Sequence, residues 1–344
     1  MRFKYNLWLI TTPFFLLAIL SVIHWLFTVN QRIDLMFKPD LQPKPITKNY
    51  IYFSNLNGQG VETVDQISPW VVAAMIDNHP DAIHVGLEKA IIVYEVPVEG
   101  SATRFMAIYN KNNLVNKVGP IRSARPYFLD WASEYGNMLY LHSGGSPESL
   151  QLLKNSYENV YNGDEFAFSN YFWRDNQYYA PHNLFTSSSK YNALFDYYGL
   201  NKQIQKWSGW NYDGKIHAVS YQPVNQIKIS YANWNVVEWK YDFDSQQYYR
   251  YLNNGQDKII ADNILVQFVS MYVIDNEGRL KLTTLGSGES RVLRNGQIVG
   301  GTWRKKSVLE RTIFYDESAG EVYLKPGITW VMIIPNWLKL EVGN

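Results

Sequence analysis

The chain has 344 residues, of which 46% are hydrophobic and 18% are charged, so it can bury a core and is not intrinsically disordered. Its 32 Lys and Arg against 31 Asp and Glu leave a net charge of +1, which argues against a nucleic-acid binder that acts through bulk charge. The absence of Cys excludes disulfides, thiolate nucleophiles, zinc–thiolate sites and a lipid-modified cysteine.

The first predicted element is a single-pass transmembrane anchor at residues 7–29, which follows a cytoplasmic tail at residues 1–6. These 23 residues contain no Asp, Glu, Lys or Arg. At 1.5 Å per residue they span about 34 Å, enough to cross a hydrocarbon layer of about 30 Å. Because a long following domain is translocated largely regardless of its charge, we expect the bulk of the chain on the extracytoplasmic side. A cleaved signal peptide is the alternative, although no small-residue cleavage site follows.

Residues 30–60 carry Pro39, Pro43 and Pro45 and predict an extended stalk. Residues 61–205 alternate apolar strand-like runs with helical segments, which predicts an α/β domain with helices packed on a mixed sheet. The predicted strands are Trp70–Ile76, Ala90–Val96, Thr103–Tyr109 and Met138–His142. Helices are predicted over Pro126–Tyr135 and from Ser146 to Lys154.

After a predicted junction at residues 206–225, residues 226–344 predict a second, mainly antiparallel β domain. Turn signals recur between short apolar runs, and Asn295-Gly296 is typical of a two-residue hairpin turn. The predicted fold class is therefore α+β or α/β, with an anchor, an α/β domain and a β-rich domain. The tryptophans of the second domain are expected to fill its core rather than to bind sugar rings.

Arginines in the first domain predict an anion-binding corner. Arg122 and Arg125 directly precede the helix at Pro126, where free N–H groups and the helix dipole favour an anion. Arg is suited to hold phosphate or carboxylate through two parallel hydrogen bonds. Arg104 and Arg174 are further candidates. The alternative, favoured by spacing alone, is that the arginines form structural ion pairs with Glu95, Glu99 and Asp130.

A second strand–loop–helix corner is His142-Ser143-Gly144-Gly145-Ser146. Its glycines permit close approach to the backbone, and Ser146 suits the N-cap position. Two such corners are expected at the carboxyl edge of the strands, where ligand crevices of α/β sheets lie. Asp77 with His142 or His182 could act as a general acid–base pair. His79, His142 and His182 with a carboxylate could bind zinc, but their spacing is not diagnostic, so we expect no metal and no cofactor.

The run Val118–Phe128 and the loop His142–Ser146, among other segments, resemble the YerB-like family of bacterial membrane-attached envelope proteins. The N-terminal and C-terminal domains of this family have no known function. The similarity covers residues from about 65 to 340. Two departures stand out: this chain has no lipid-modified Cys, and Ile83-His84 stand where the family often has Arg. The segments that carry the resemblance are 93–95, 99–100, 103–105, Val118–Phe128, His142–Ser146, 172–175, Pro181–Leu184, 301–303 and 326–330.

Two functional hypotheses are open. The first is a non-enzymatic module that binds an anionic cell-wall glycan or polymer; the second is an extracytoplasmic phosphotransferase or hydrolase acting on a phosphorylated envelope substrate. An interaction scaffold is a third possibility. Expected partners are the membrane and a cell-wall glycan, without nucleic acid. The predicted ligand-binding residues are Asp77, Glu95, Glu99, Arg104, Arg122, Arg125, His142, Ser143, Gly144, Gly145, Ser146, Arg174 and His182.

Overall fold

The computed structural model describes Ser21, His24 and Trp25 and residues 50–154, 157–200, 205–212, 222–253 and 255–343. The predicted tail, the rest of the predicted anchor and stalk residues 30–49 lie outside these ranges. Ser21, His24 and Trp25 are helical. Within the described ranges, no helix has the length and apolar character needed to cross a bilayer. The anchor therefore stays a prediction.

The first half of the body begins with a short hairpin. Its strands pair antiparallel, and Leu56 in the connecting turn is buried, so residues 50–60 pack on the body although the predicted stalk extended to residue 60. The strands and helices of this half are β1 (Tyr52–Phe53), β2 (Gly60–Val61), β3 (Val71–Asp77), β4 (Ile92–Pro97), β5 (Thr103–Asn110), α1 (Pro126–Ala132), β6 (Met138–His142), α2 (Pro147–Lys154), β7 (Val160–Asp164), β8 (Trp173–Arg174), β9 (Leu184–Phe185) and α3 (Ser188–Tyr197).

The second half contains strands and no α-helix among described residues 222–343, which confirms the predicted β-rich character. Asn295-Gly296 joins two paired strands, as its turn signal predicts. The strands are β10 (Gln222–Pro223), β11 (Gln226–Ala232), β12 (Asn235–Asp242), β13 (Gln247–Leu252), β14 (Gly255–Ala261), β15 (Asn263–Val269), β16 (Met271–Val273), β17 (Leu280–Leu282), β18 (Gly286–Arg294), β19 (Gln297–Lys305), β20 (Ile313–Asp316), β21 (Thr329–Pro335) and β22 (Glu341–Gly343).

One mixed sheet contains strands from both halves of the body. Its order is β10-β19-β18-β15-β21-β4-β5-β3-β6-β7, and β20 pairs with β19. The two halves meet where β21 lies parallel to β4, with Trp330 opposite Val93. Residues 50–344 accordingly form one compact unit, although the sequence divides them into two predicted domains.

The mixed sheet lies between two other layers. Alternate side chains of a strand point to opposite faces, so β3 contributes to two cores. Val72, Ala74 and Ile76 pack in a core shared with α3 and with the antiparallel sheet β14-β13-β12-β11-β22. Val71, Ala73 and Met75 pack in a second core with α1. Because both faces are covered, β3, β4, β15 and β21 are buried along their whole length, which explains their largely apolar sequences.

Several aromatic rings fill these cores. Trp239, Trp303 and Trp330 are almost completely buried, which confirms the expectation for them. Trp234 and Trp337 are exposed instead. Composition predicts the aromatic core, whereas the two exposed tryptophans lie in turns outside the strands.

Candidate functional site

Polar residues from four strands meet at one edge of the mixed sheet. β3, β6 and β7 run parallel, so their carboxyl ends, at Asp77, His142 and Asp164, lie at the same edge. β5 runs antiparallel to β3, which places Arg104 directly opposite Asp77. This edge is the usual location of a ligand crevice in an open α/β sheet.

The segment Val118–Arg125 crosses this edge and joins its two corners. The Arg122 backbone N–H donates to Met75 O at 2.8 Å, and the Arg122 carbonyl accepts from Ser143 N–H at 3.1 Å. The Ala124 N–H donates to Gly144 O at 3.0 Å. These bonds fix Arg122 between the end of β3 and the loop that follows β6.

Asp77 is the centre of a polar cluster beside Arg122. Its Oδ2 lies 3.2 Å from Arg122 Nε and accepts a hydrogen bond of 2.6 Å from His182 Nδ1. The His182 ring stacks on His79, with the ring centroids 4.8 Å apart. Both side chains of the Asp77–His182 pair are largely buried, at 7% and 11% exposure, so the carboxylate holds the imidazole in one orientation.

His142 lies apart from this cluster. Its two ring nitrogens are 2.8 Å from Gly144 O and 2.7 Å from Asn162 Oδ1, and its side chain is fully buried. It therefore stabilises the corner and is not exposed to a ligand. Ser146 accepts a long hydrogen bond of 3.4 Å from Ser149 N–H at the start of α2, which is the N-cap role that the sequence predicts.

Arg174 is linked to the second corner through Glu165. Its Nη1 donates to Asn183 Oδ1 at 3.0 Å, and its Nη2 lies 3.3 Å from Glu165 Oε1. Glu165 Oε2 also accepts a hydrogen bond of 2.6 Å from Ser143 Oγ. This network connects strand β8 to the loop after β6.

An open cleft of about 600 Å³ lies between the two corners. Arg122 and Arg174 both line it, together with Ser143, Asp164 and Phe166. Phe166 is 77% exposed, an unusual state for so large an apolar side chain. Gly144 adopts a left-handed conformation with φ +60°, and a Cβ there would lie 3.2 Å from the Phe166 ring. A glycine therefore allows the ring to lie over the corner.

Among the predicted site residues that do not line the cleft are Glu95, Glu99, Arg104 and Arg125. Arg125 donates two hydrogen bonds, of 2.6 and 2.9 Å, to the Glu99 carboxylate. Arg104 is buried and donates to Ser123 O at 2.7 Å; burial and the charge of Arg125 lower its pKa to about 10. Glu95 is fully buried in the interior of the body.

Glu95 belongs to a different network, one that joins the two halves. It accepts hydrogen bonds from Arg250 Nη2 at 2.7 Å, Trp330 Nε1 at 3.0 Å and Thr103 Oγ1 at 3.1 Å. Arg250 also pairs with Asp257. The Glu99–Arg125 pair is one of the structural ion pairs considered from the sequence. Glu95 pairs instead with Arg250, which was not among the candidate arginines.

Three residues at this edge were not predicted from the sequence: Asp164, Glu165 and Phe166. These residues follow one another at the end of β7, and the carboxyl edge was already the expected location of the site. A strand prediction for Val160–Asp164 would have directed attention to them. The sequence of β7, Val-Tyr-Asn-Gly-Asp, contains polar residues and a glycine, so it gives only a weak strand signal.

One group in the described ranges has the donor types of a metal site: His79, Asp81 and His182. The zinc ligands considered from the sequence included His142. That side chain is buried and bonded to Gly144 and Asn162, so it is not part of this group.

Comparison with known proteins gives consistent matches. Residues 58–201 match the family model "Protein of unknown function (DUF3048) N-terminal domain", and residues 227–331 match the corresponding C-terminal domain. The chain is 29% identical over 288 residues to "Putative lipoprotein YerB" of Bacillus subtilis (strain 168), covering 77% of this chain and 81% of that protein. The crystal structure of YerB protein from Bacillus subtilis matches with a TM-score of 0.72 and 25% identity, covering 84% of this chain and 99% of that one.

Proposed function

The chain belongs to the YerB-like family of paired DUF3048 N-terminal and C-terminal domains, and from this premise we propose that it binds an anionic cell-envelope glycan in the cleft between Arg122 and Arg174. The ligand is a saccharide that carries carboxylate or phosphate groups. The protein acts as a binding module in this proposal, with no chemical step.

Two observations support a location at the membrane, outside the cytoplasm. The Bacillus subtilis relative bears the description "Putative lipoprotein YerB", and lipoproteins are held at the membrane by a covalently attached lipid. This chain has no Cys to carry such a lipid, but its residues 7–29 form an uncharged apolar stretch. The anchor helix would replace the lipid and keep the body at the same surface.

The observation that carries the proposal is that two partly exposed arginines line one open cleft. Arg122 is 31% and Arg174 is 47% exposed at the side chain. Within the described part of the chain, the Arg122 guanidinium forms an ion pair with Asp77 but donates no hydrogen bond, so its terminal N–H groups are available to a ligand. A planar guanidinium matches the geometry of carboxylate and phosphate.

The other groups of the cleft favour a glycan over a free anion. Asp164, which lines the cleft, can accept hydrogen bonds from sugar hydroxyls, whereas its carboxylate would repel a small anion. The exposed Phe166 ring offers a flat apolar face for the C–H side of a sugar ring. A cleft of about 600 Å³ is also large enough for more than one sugar unit.

Retention on purified bacterial cell wall tests this proposal. The full chain, purified in mild detergent, is incubated with wall fragments before and after hydrofluoric acid removes phosphodiester-linked polymers. Arg122→Gln and Arg174→Gln should each reduce retention at least ten-fold, and added salt should weaken it because the contact is ionic. Loss of retention after acid treatment identifies phosphate; unchanged retention identifies a carboxylate-bearing glycan.

Arg279→Gln is the matched control. Arg279 is 32% exposed and pairs with Asp275, so its replacement removes the same charge from a comparable environment on the hairpin between β16 and β17, outside the cleft lining. Retention that is unaffected by Arg122→Gln and Arg174→Gln, or that falls equally with Arg279→Gln, would refute binding in the cleft.

An enzyme is the second candidate, favoured by the Asp77–His182 hydrogen bond beside Arg122. A carboxylate that orients an imidazole is a common arrangement for a general base, and the arginine would hold a phosphate group. Incubation with a lipid-linked pyrophosphate and divalent metal distinguishes the candidates. Turnover that disappears in His182→Ala supports the enzyme; retention without turnover supports the binding module.

A further inference from the structure

The turn after β3 places two imidazoles and a carboxylate side by side. The His79 N–H lies 3.3 Å from Asp77 Oδ1, and the Asp81 N–H donates to His79 Nδ1 at 3.2 Å. This tight turn brings Asp81 Oδ2 within 3.5 Å of His79 Nδ1. His182 enters from a separate loop and stacks on His79. One donor atom from each of the three residues lies within 4.8 Å of the other two.

We propose that His79, Asp81 and His182 bind one divalent transition-metal ion, with Zn²⁺ as the best match to the donors. Imidazole nitrogen and carboxylate oxygen coordinate Zn²⁺ at about 2.0–2.2 Å, so tetrahedral ligand atoms lie about 3.3 Å apart. The present spacing exceeds this by at most about 1.5 Å. His79 and Asp81 are 50% and 79% exposed, so their side chains can rotate to close the difference.

Asp77 supplies an independent observation for the site. Metal-binding histidines commonly donate their second ring N–H to a carboxylate, which fixes the ring and makes the ligating nitrogen more basic. Asp77 Oδ2 accepts such a bond from His182 Nδ1 at 2.6 Å, which leaves Nε2 as the ligating atom. The ion pair with Arg122 and the position at the end of β3 keep Asp77 itself in place.

The chemistry of the donors selects the class of ion. Two nitrogens and one oxygen suit Zn²⁺ and its transition-metal neighbours, whereas Ca²⁺ and Mg²⁺ prefer oxygen ligands alone. Three protein ligands leave at least one coordination position open to water or an anionic ligand. The inference goes beyond the proposed glycan binding, since zinc affinity is measured without any glycan. It also departs from the sequence expectation of no metal, which rested on spacing along the chain.

Calorimetric titration with ZnCl₂ tests the proposal. The full chain is produced without a histidine tag, purified in mild detergent and stripped with a chelator. We expect one Zn²⁺ per chain. His79→Ala and Asp81→Asn should each weaken binding at least ten-fold, and Asp77→Asn should weaken it ten-fold to a hundred-fold through loss of ring orientation.

Asp244→Asn is the control, because it removes an exposed carboxylate from the turn between β12 and β13. Since His79 and Asp81 are exposed, their variants should keep the parent's thermal unfolding, which circular dichroism checks. Co²⁺ substitution provides a second readout, as the visible absorption of a four-coordinate ion should be lost in the same variants. Absence of stoichiometric zinc binding, or equal affinity in the parent, His79→Ala and Asp81→Asn, would overturn the site.

Discussion

His182 Nδ1 donates a hydrogen bond of 2.6 Å to Asp77 Oδ2, although the two residues are 105 positions apart in the chain. The bond joins the end of β3 to the loop between β8 and β9 at the edge of the mixed sheet. Arg122 pairs with the same carboxylate oxygen, so the three residues form one connected group.

A double-mutant cycle should detect strong coupling across this bond. Asp77→Asn and His182→Ala each remove a partner of a largely buried, charge-assisted hydrogen bond, which is typically worth about 1.5–3 kcal/mol. We expect a coupling in that range from urea unfolding of the parent, both single variants and the double variant. His79→Ala, which removes a half-exposed ring, is the control and should change stability little. Additive single effects would contradict the prediction.

Replacement of Glu95 should destabilise the body strongly. Glu95→Gln removes the charge that faces the buried Arg250 guanidinium, and breaking a buried ion pair costs about 3–5 kcal/mol. The urea concentration at the unfolding midpoint should fall accordingly, while the dependence of the unfolding free energy on urea concentration stays unchanged. Glu289→Gln removes an exposed partner of Arg291 and should cost less than about 1 kcal/mol. Equal midpoints for the two variants would show that the interior network contributes little.

The Glu99–Arg125 pair should contribute to stability at neutral pH and lose that contribution in acid. Burial alone would raise the pKa of Glu99, but the hydrogen bonds and charge of Arg125 outweigh it and lower the pKa below its ordinary value. The folded state therefore binds the proton more weakly than the unfolded chain, so the contribution is complete above the unfolded pKa, about 4.3, and disappears as the pH falls through the folded pKa.

Glu99→Gln should reduce the free energy of unfolding at pH 7 and make its decline below about pH 5 shallower than in the parent. Unfolding in urea at several pH values between about 3 and 7 measures both effects. The exposed Glu88→Gln is the control. A parent and Glu99→Gln with parallel pH profiles would disprove the assignment.

Phe166→Ala should weaken glycan retention without loss of stability. The ring is 77% exposed, so truncation removes little buried area, and the free energy of unfolding should change by less than about 0.5 kcal/mol. Retention on cell wall should fall about ten-fold if the ring stacks on a sugar. Leu114→Ala truncates an equally exposed apolar side chain outside the cleft and should leave retention unchanged. Undiminished retention of Phe166→Ala would exclude the ring from the binding surface.

Gly145→Ala should strain the corner that precedes α2. The new Cβ would lie 2.5 Å from Ser149 Oγ and 3.2 Å from Ala124 Cβ. Ser149 Oγ cannot move freely, because it donates to Ser146 O at 2.9 Å. Overpacking of this kind costs about 1–3 kcal/mol. Gly255→Ala, whose added Cβ would approach no atom closer than 3.4 Å, is the control for thermal unfolding. Equal melting temperatures would show that the corner adapts.

Much of the local structure is predictable from the sequence. The strand predicted over Met138–His142 has those bounds in the structure, and the Asn295-Gly296 turn joins β18 to β19. The helix predicted over Pro126–Tyr135 is α-helical only to Ala132, and its last turn, Ser133–Tyr135, is 3₁₀. These features depend on hydrophobic periodicity, turn residues and caps, which act over a few residues.

The composition of the candidate site is predictable only in part. Arg122, Ser143 and Arg174 line one cleft, and Asp77 and His182 form the adjoining pair. Arg125 and Glu99 form an ion pair with each other instead. Arg104 is buried and donates to Ser123 O in the segment that carries Arg122. Spacing along the sequence does not show whether an arginine forms an ion pair with an acidic residue, because the acidic residue lies near the end of a different strand.

The sequence by itself determined the family, the strand-rich second half and the edge of the sheet at which polar residues gather. These properties follow from residue type and order over short segments. Only the tertiary structure decided that both halves share one sheet, that Glu95 pairs with Arg250 across 155 positions, and that His79 stacks on His182. Such contacts depend on strand register between distant segments, and a shift of one residue would turn each side chain to the opposite face.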